Sequence, residues 1–102
     1  MFAAYKSQDM EGLRKAIEAV GQMPAHAFQQ MKVDDLTLLH HAAADQDSET
    51  IQLLSSLPYF KEVVNSNNNE EELTPLHLAA NNLDQAIFLI ENGADPLAKT
   101  KE

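Results

Sequence analysis

The sequence predicts an all-α fold, a solenoid of stacked helix-turn-helix pairs, and three observations lead to it. Residues 36–43 (LTLLHHAA) recur at 73–80 (LTPLHLAA), and His40 and His77 mark an offset of 37 positions. Each copy begins at a Thr able to cap a helix, and each is followed by a segment with apolar residues at helical spacing. Self-similarity over a few tens of residues is the mark of a repeat array, whose units cannot bury an apolar face alone and so stack on one another.

Taken in order, Phe2, Ala3 and Ala4 are the remnant of a first inner helix. Leu13, Ala16, Ile17 and Val20 then give a longer helix that Gly21 ends, glycine being the residue that takes the left-handed C-terminal position without a Cβ penalty. Residues 24–31 (PAHAFQQM) hold enough apolar surface to pack as a short additional turn. Thr37 caps the second inner helix, with Leu38 in the first helical position, and Thr74 caps the third with Pro75 there, where a missing N–H is no loss. The paired alanines Ala42–Ala43 and Ala79–Ala80 are small enough for inner helices to approach closely, which a helix of two turns needs because it is unstable alone. Ile51, Leu53, Leu54 and Leu57 form the second outer helix, stopped by Pro58, and 58–64 (PYFKEVV) can add another short turn. Leu83, Ala86, Ile87 and Ile90, widened by Leu89, are the expected core stripe of the third outer helix, with Phe88 packed beside it and Asn92–Gly93 at its end. Leu97 could join Phe88 in an unburied face.

From Thr74 to Ala80, and on through the outer helix to Gly93-Ala94-Asp95, the chain resembles the ankyrin repeat, with its Thr-Pro-Leu-His-x-Ala-Ala helix and Gly-Ala-Asp exit. The resemblance implies an ankyrin-repeat solenoid with long inter-repeat β-hairpin-like loops. It divides the single domain 1–102 into a degenerate capping repeat at 1–33, a second repeat at 34–70 and a third at 71–102, a section of a longer protein. Two departures stand out. The period exceeds the usual 33 or so residues, the excess lying in 21–37 and 58–74, and the glycine between paired helices is absent. Gln46 stands near its place in the second repeat, and Asn81–Asn82, tolerant of positive φ, makes a shorter turn in the third.

Composition bounds the function. Seven Lys and Arg against 16 Asp and Glu give a net charge of −9, which repels nucleic acid and anionic membrane. There is no Cys, so no disulfide or thiolate chemistry, and the expected setting is cytoplasmic. No run approaches a membrane span and no signal pattern opens the chain. His-Glu-x-x-His spacing, a nucleophile elbow and a phosphate-cradling glycine loop are all missing, so no catalytic residue, metal or cofactor is expected. In repeats of this kind His40 and His77 hydrogen-bond to the backbone and to the capping Thr, a structural role.

The expected function is recognition by a monomeric chain. Candidate partner-binding residues are the loop tips Asp34, Asp35, Asn68, Asn69, Glu70, Glu71 and Glu72, and the groove positions His41, Ala44, Asp45, Leu78, Asn81 and Asn82. Their acidity points to a protein partner with a basic segment. The alternative is the targeting domain of a larger enzyme, or of a microbial or viral effector delivered into a host cytosol. Asn65, eight residues after Leu57, resembles the asparaginyl-hydroxylation site of some ankyrin repeats, with Val63 at the place usually acidic.

Overall fold

The computed structural model describes residues 2–66, 73–79 and 81–97. Three helix pairs follow one another: α1 (Phe2–Lys6) with α2 (Met10–Val20), α4 (Leu38–Ala44) with α5 (Ser48–Leu54), and α7 (Pro75–Leu78) with α8 (Leu83–Glu91). Between the first two pairs lie a short helix α3 (Ala25–Gln30) and a two-stranded antiparallel hairpin, β1 (Lys32–Val33) with β2 (Leu36–Thr37). A further short helix, α6 (Phe60–Val63), follows α5. Leu13, Ile17, Phe28, Leu38, Leu39, Ile51, Leu54, Val63 and Leu89 are buried in one continuous core that runs through the stack.

The caps form as their residue types dictate. Thr37 and Thr74 each accept from the backbone N–H three residues on, and the histidine at that third position reaches back to the Thr backbone N–H, so two amides without helical partners are satisfied reciprocally. The alanines behave as their size allows: Ala42, Ala43 and Ala79 are fully buried where α4 lies against α7, while Ala80 is outside the described residues.

Glutamine replaces glycine in the turns between paired helices. Gln8 and Gln46 have φ of 60° and 57°, and each sits one residue before an Asp. The Asp9 N–H returns to the Ala4 carbonyl (2.9 Å) and the Asp47 N–H to the Ala42 carbonyl (2.9 Å), which closes the inner helix. The same Asp side chains then cap the outer helix through the Gly12 and Thr50 N–H groups. In the third pair the turn works differently from the expected left-handed Asn. Asn82 has φ −123° and serves as the N-cap of α8, accepting from the Gln85 N–H at 3.2 Å.

Both additional segments fold as short helices on the core. Phe28 of α3 and Phe60 and Val63 of α6 are buried, Phe28 and Tyr59 have ring centroids 6.5 Å apart, and the Tyr59 hydroxyl donates to the Val20 carbonyl at 2.6 Å. These contacts tie the inserts to each other and to the end of α2.

Three helix ends and faces differ from expectation. Gly21 follows α2 with φ −65°, right-handed; a Cβ there would lie 3.4 Å from the Glu18 and Ile17 carbonyl oxygens and 3.5 Å from Leu57. Helix α5 stops at Leu54, short of Pro58, because the hydroxyls of Ser55 and Ser56 turn back onto the Gln52 and Leu53 carbonyls (2.6 and 2.7 Å). Leu57 is nonetheless buried beyond the helix end. The largest difference is in α8, where Gln85 and Leu89 face the stack while Leu83 is 72 % exposed, Ile87 45 % and Ile90 42 %. Apolar residues surround this helix on nearly all sides, so spacing alone does not select the buried face; the Asn82 cap and the contact between Gln85 and Ser48 do.

Candidate functional site

The hairpin tip is built by two aspartates. Asp34 and Asp35 have φ of 54° and 68°, the paired left-handed conformation of a two-residue turn whose twist matches the flanking strands. Asn-Gly is the low-energy choice there; two carboxylates instead bring like charges together at an exposed point. Lys32 at the base lies 3.7 Å from the Asp35 carboxylate.

Beside the tip, α1 docks on α4 through Phe2 and Tyr5. The Phe2 ring meets His41 edge-on with centroids 5.5 Å apart, and the Tyr5 hydroxyl donates to the Asp45 carboxylate at 2.5 Å. His41 Nε2–H donates to the Val33 carbonyl at 2.7 Å, since that oxygen can only accept, which anchors the hairpin to α4. Burial, then the hydrogen bond to Asp45, then the nearby charges of Asp45 and Asp47 push the Tyr5 hydroxyl well above its ordinary range, so it stays protonated and donating.

Together these elements enclose an open cleft of about 900 Å³. Phe2, Tyr5 and Met10 give it apolar walls, while Asp34, Asp45, Asp47 and Glu49 give it four carboxylates against, among the described residues, the ammonium of Lys6. An aromatic wall beside carboxylates suits a long cationic side chain, whose stem packs and whose head is attracted by ring face and carboxylate alike.

Of the residues singled out in the sequence, Asp34, His41 and Asp45 come together at this cleft. Asp35 and Ala44 are exposed, Leu78 is half-buried on α7, Asn81 is exposed in the last turn, and Asn82 is engaged as a cap. Asn68, Asn69, Glu70, Glu71 and Glu72 lie outside the described residues. Phe2, Tyr5, Met10, Asp47 and Glu49 escaped sequence reasoning; the repeated Gln-Asp pair at 8–9 and 46–47 is the signal that could have placed Asp47 at a helix start beside the groove.

His40 is buried and holds neighbouring pairs together. The Thr37 N–H (3.3 Å) points at Nδ1, so that nitrogen is an acceptor and Nε2 carries the proton donated to the Leu73 carbonyl at 2.8 Å. Burial lowers its pKa and the charges of His41 and Lys32 act the same way, against hydrogen bonds to the Leu73 and Ser66 backbones. In the third pair the Thr74 N–H meets His77 Nδ1 at 2.9 Å, as expected of both histidines.

Such local reciprocity, repeated down a stack of helix pairs, agrees with the match of residues 1–100 to a family described as ankyrin repeats, in three copies. The chain belongs to the ankyrin-repeat family. Ankyrin repeats are in general protein–protein interaction modules and ordinarily non-catalytic. Searches of curated proteins and of solved structures return no match. Among the described residues, no group of three or more His, Asp or Glu is placed to hold a metal ion, and no helix is long and apolar enough to cross a membrane. At Asn65 both amide atoms are engaged: Nδ2 donates to the Gly93 carbonyl (2.9 Å) and Oδ1 accepts from the Asp95 N–H (2.7 Å), fastening this position to the end of α8.

Proposed function

We propose that this ankyrin-repeat chain, acting as a monomer, binds a protein partner through a basic segment of it, which lies along the concave side with one Lys or Arg seated in the acidic cleft. One observation carries the reading: four carboxylates and two aromatic rings converge on a cleft where, among the described residues, Lys6 is the one Lys or Arg. The Asp34–Asp35 tip extends the same negative field, and Glu70, Glu71 and Glu72 contribute three further negative charges to the chain. The helices lining the cleft are packed before any partner arrives, so little ordering entropy opposes association. A Cys-free acidic chain of this kind is suited to the cytoplasm.

Titration with a fluorescent Lys/Arg-rich peptide at several salt concentrations tests the proposal. Asp34→Asn combined with Glu49→Gln, both at exposed positions, should weaken binding about five- to tenfold at low salt and flatten its salt dependence. Equal affinity and an unchanged salt slope would reject the cleft as the binding site.

A further inference from the structure

Among the described residues, the outward faces of α2 and α8 are unlike. On α2 the outward residues Glu11, Arg14, Lys15 and Glu18 are charged and exposed, with Lys15 3.7 Å from Glu11. On α8 the outward residues are Leu83, Ile87 and Ile90, with Leu97 81 % exposed beyond them. Asp84 and Glu91 lie along one flank of that stripe, both exposed.

The corresponding residues of α5, though themselves exposed, border α8. Counted from their caps Asp47 and Asn82, Ser48 and Gln52 of α5 stand where Leu83 and Ile87 stand in α8. Ser48 and Gln52, with Ile51, line a groove of about 150 Å³ whose other wall is Asp84, Gln85 and Phe88. That space is well below the size of a small-molecule pocket and suits one side chain. Within it Gln85 is 3 % exposed; its Nε2 donates to Ser48 Oγ at 3.3 Å, yet its Oε1 is buried with no hydrogen-bond partner among the described residues. A buried acceptor left without a donor is costly, and here it lies next to a carboxylate and a phenyl ring. A cationic donor answers all three.

We propose that this outer face docks an amphipathic helix of a partner protein, its apolar stripe on Leu83, Ile87 and Ile90 and a Lys or Arg on its flank entering the α5–α8 groove. The cationic head donates to Gln85 Oε1 and to Asp84, and the stem lies against Phe88. The partner is therefore apolar on one side and basic at its border, complementary to the Asp84 and Glu91 flank. This surface shares no lining residue with the acidic cleft, so the two can be tested apart.

The probe is a fluorescein-labelled helical peptide of roughly 18 residues with one Leu/Ile stripe and Lys along one border, set against a sister peptide with Gln for Lys. Binding to the full chain is read by anisotropy, and its location by amide chemical shifts. The Lys peptide should move the amides of Ser48, Gln52, Gln85 and Ile87 and bind at least about tenfold more tightly than its sister, the scale of a hydrogen bond from a charged donor. Gln85→Met should cost about as much; should that variant fold poorly, Ile87→Asp at an exposed position should abolish binding with the fold intact. Asp34→Asn with Glu49→Gln should leave binding unchanged. Equal binding of the two peptides, or shifts confined to the acidic cleft, would overturn the proposal. So would sedimentation as a dimer that Ile87→Asp disperses, since the occupant would then be a second copy.

Discussion

At the scale of single residues, left-handed positions carry glutamine and aspartate where glycine would be unstrained. Gln46 sits at φ 57° in a turn that also starts α5. Gln46→Gly should stabilise the chain by about 0.5–1 kcal/mol, because the Cβ penalty of the left-handed conformation exceeds the backbone entropy that glycine adds to the unfolded state. A higher urea midpoint at unchanged slope is the expected result. His40 gives the opposite kind of sensitivity. Its folded-state pKa is depressed by burial, whereas the unfolded chain takes up a proton near the ordinary value of about 6.5. Below that value the unfolded state binds more protons than the folded one, so the His40 contribution to stability is present at neutral pH and declines on acidification toward its folded pKa. His40→Gln should cost about 2–3 kcal/mol at neutral pH through lost buried hydrogen bonds, and thermal melts at pH 7.5 and 5.5 should then differ less than in the parent.

Element by element, what could be read from the sequence was what is local. Thr37 with His40, and Thr74 with His77, are three residues apart, so their reciprocal caps follow from residue type and spacing alone. The inserts were legible for a similar reason, since Phe28, Phe60 and Val63 cannot stay in water at little cost. The rotation of α8 was not legible, because Leu83, Ile87 and Ile90 compete with Leu89 and Phe88 for the core and Ser48 on another helix settles it. Nor was the cleft, half of which comes from Phe2 and Tyr5 docking onto α4 some 40 residues away. The α3 and α6 inserts make a separate test. Tyr59→Phe keeps the ring against Phe28 and removes only the bond to Val20, so it should cost about 1 kcal/mol, read as a lower urea midpoint.

Across the whole molecule, successive helix pairs are joined by side chains that reach a neighbour's backbone: His40 to Leu73, and Asn65 to both Gly93 and Asp95. In such a stack each unit touches only the next, and stability is close to a sum over neighbours. Asn65→Ala should therefore loosen the last pair selectively: hydrogen exchange should quicken at α8 amides while those of α2 keep their protection. The same fastening depends on the chemistry of one amide. Asn65 precedes Ser66, and asparagine is among the thermolabile residues. Hydrolysis of its amide, equivalent to Asn65→Asp, would remove the donor to Gly93 and set a carboxylate against that carbonyl oxygen. A chain carrying that change would thus release the end of α8, one unit heavier in mass and one charge more negative, with the remaining helix pairs still folded.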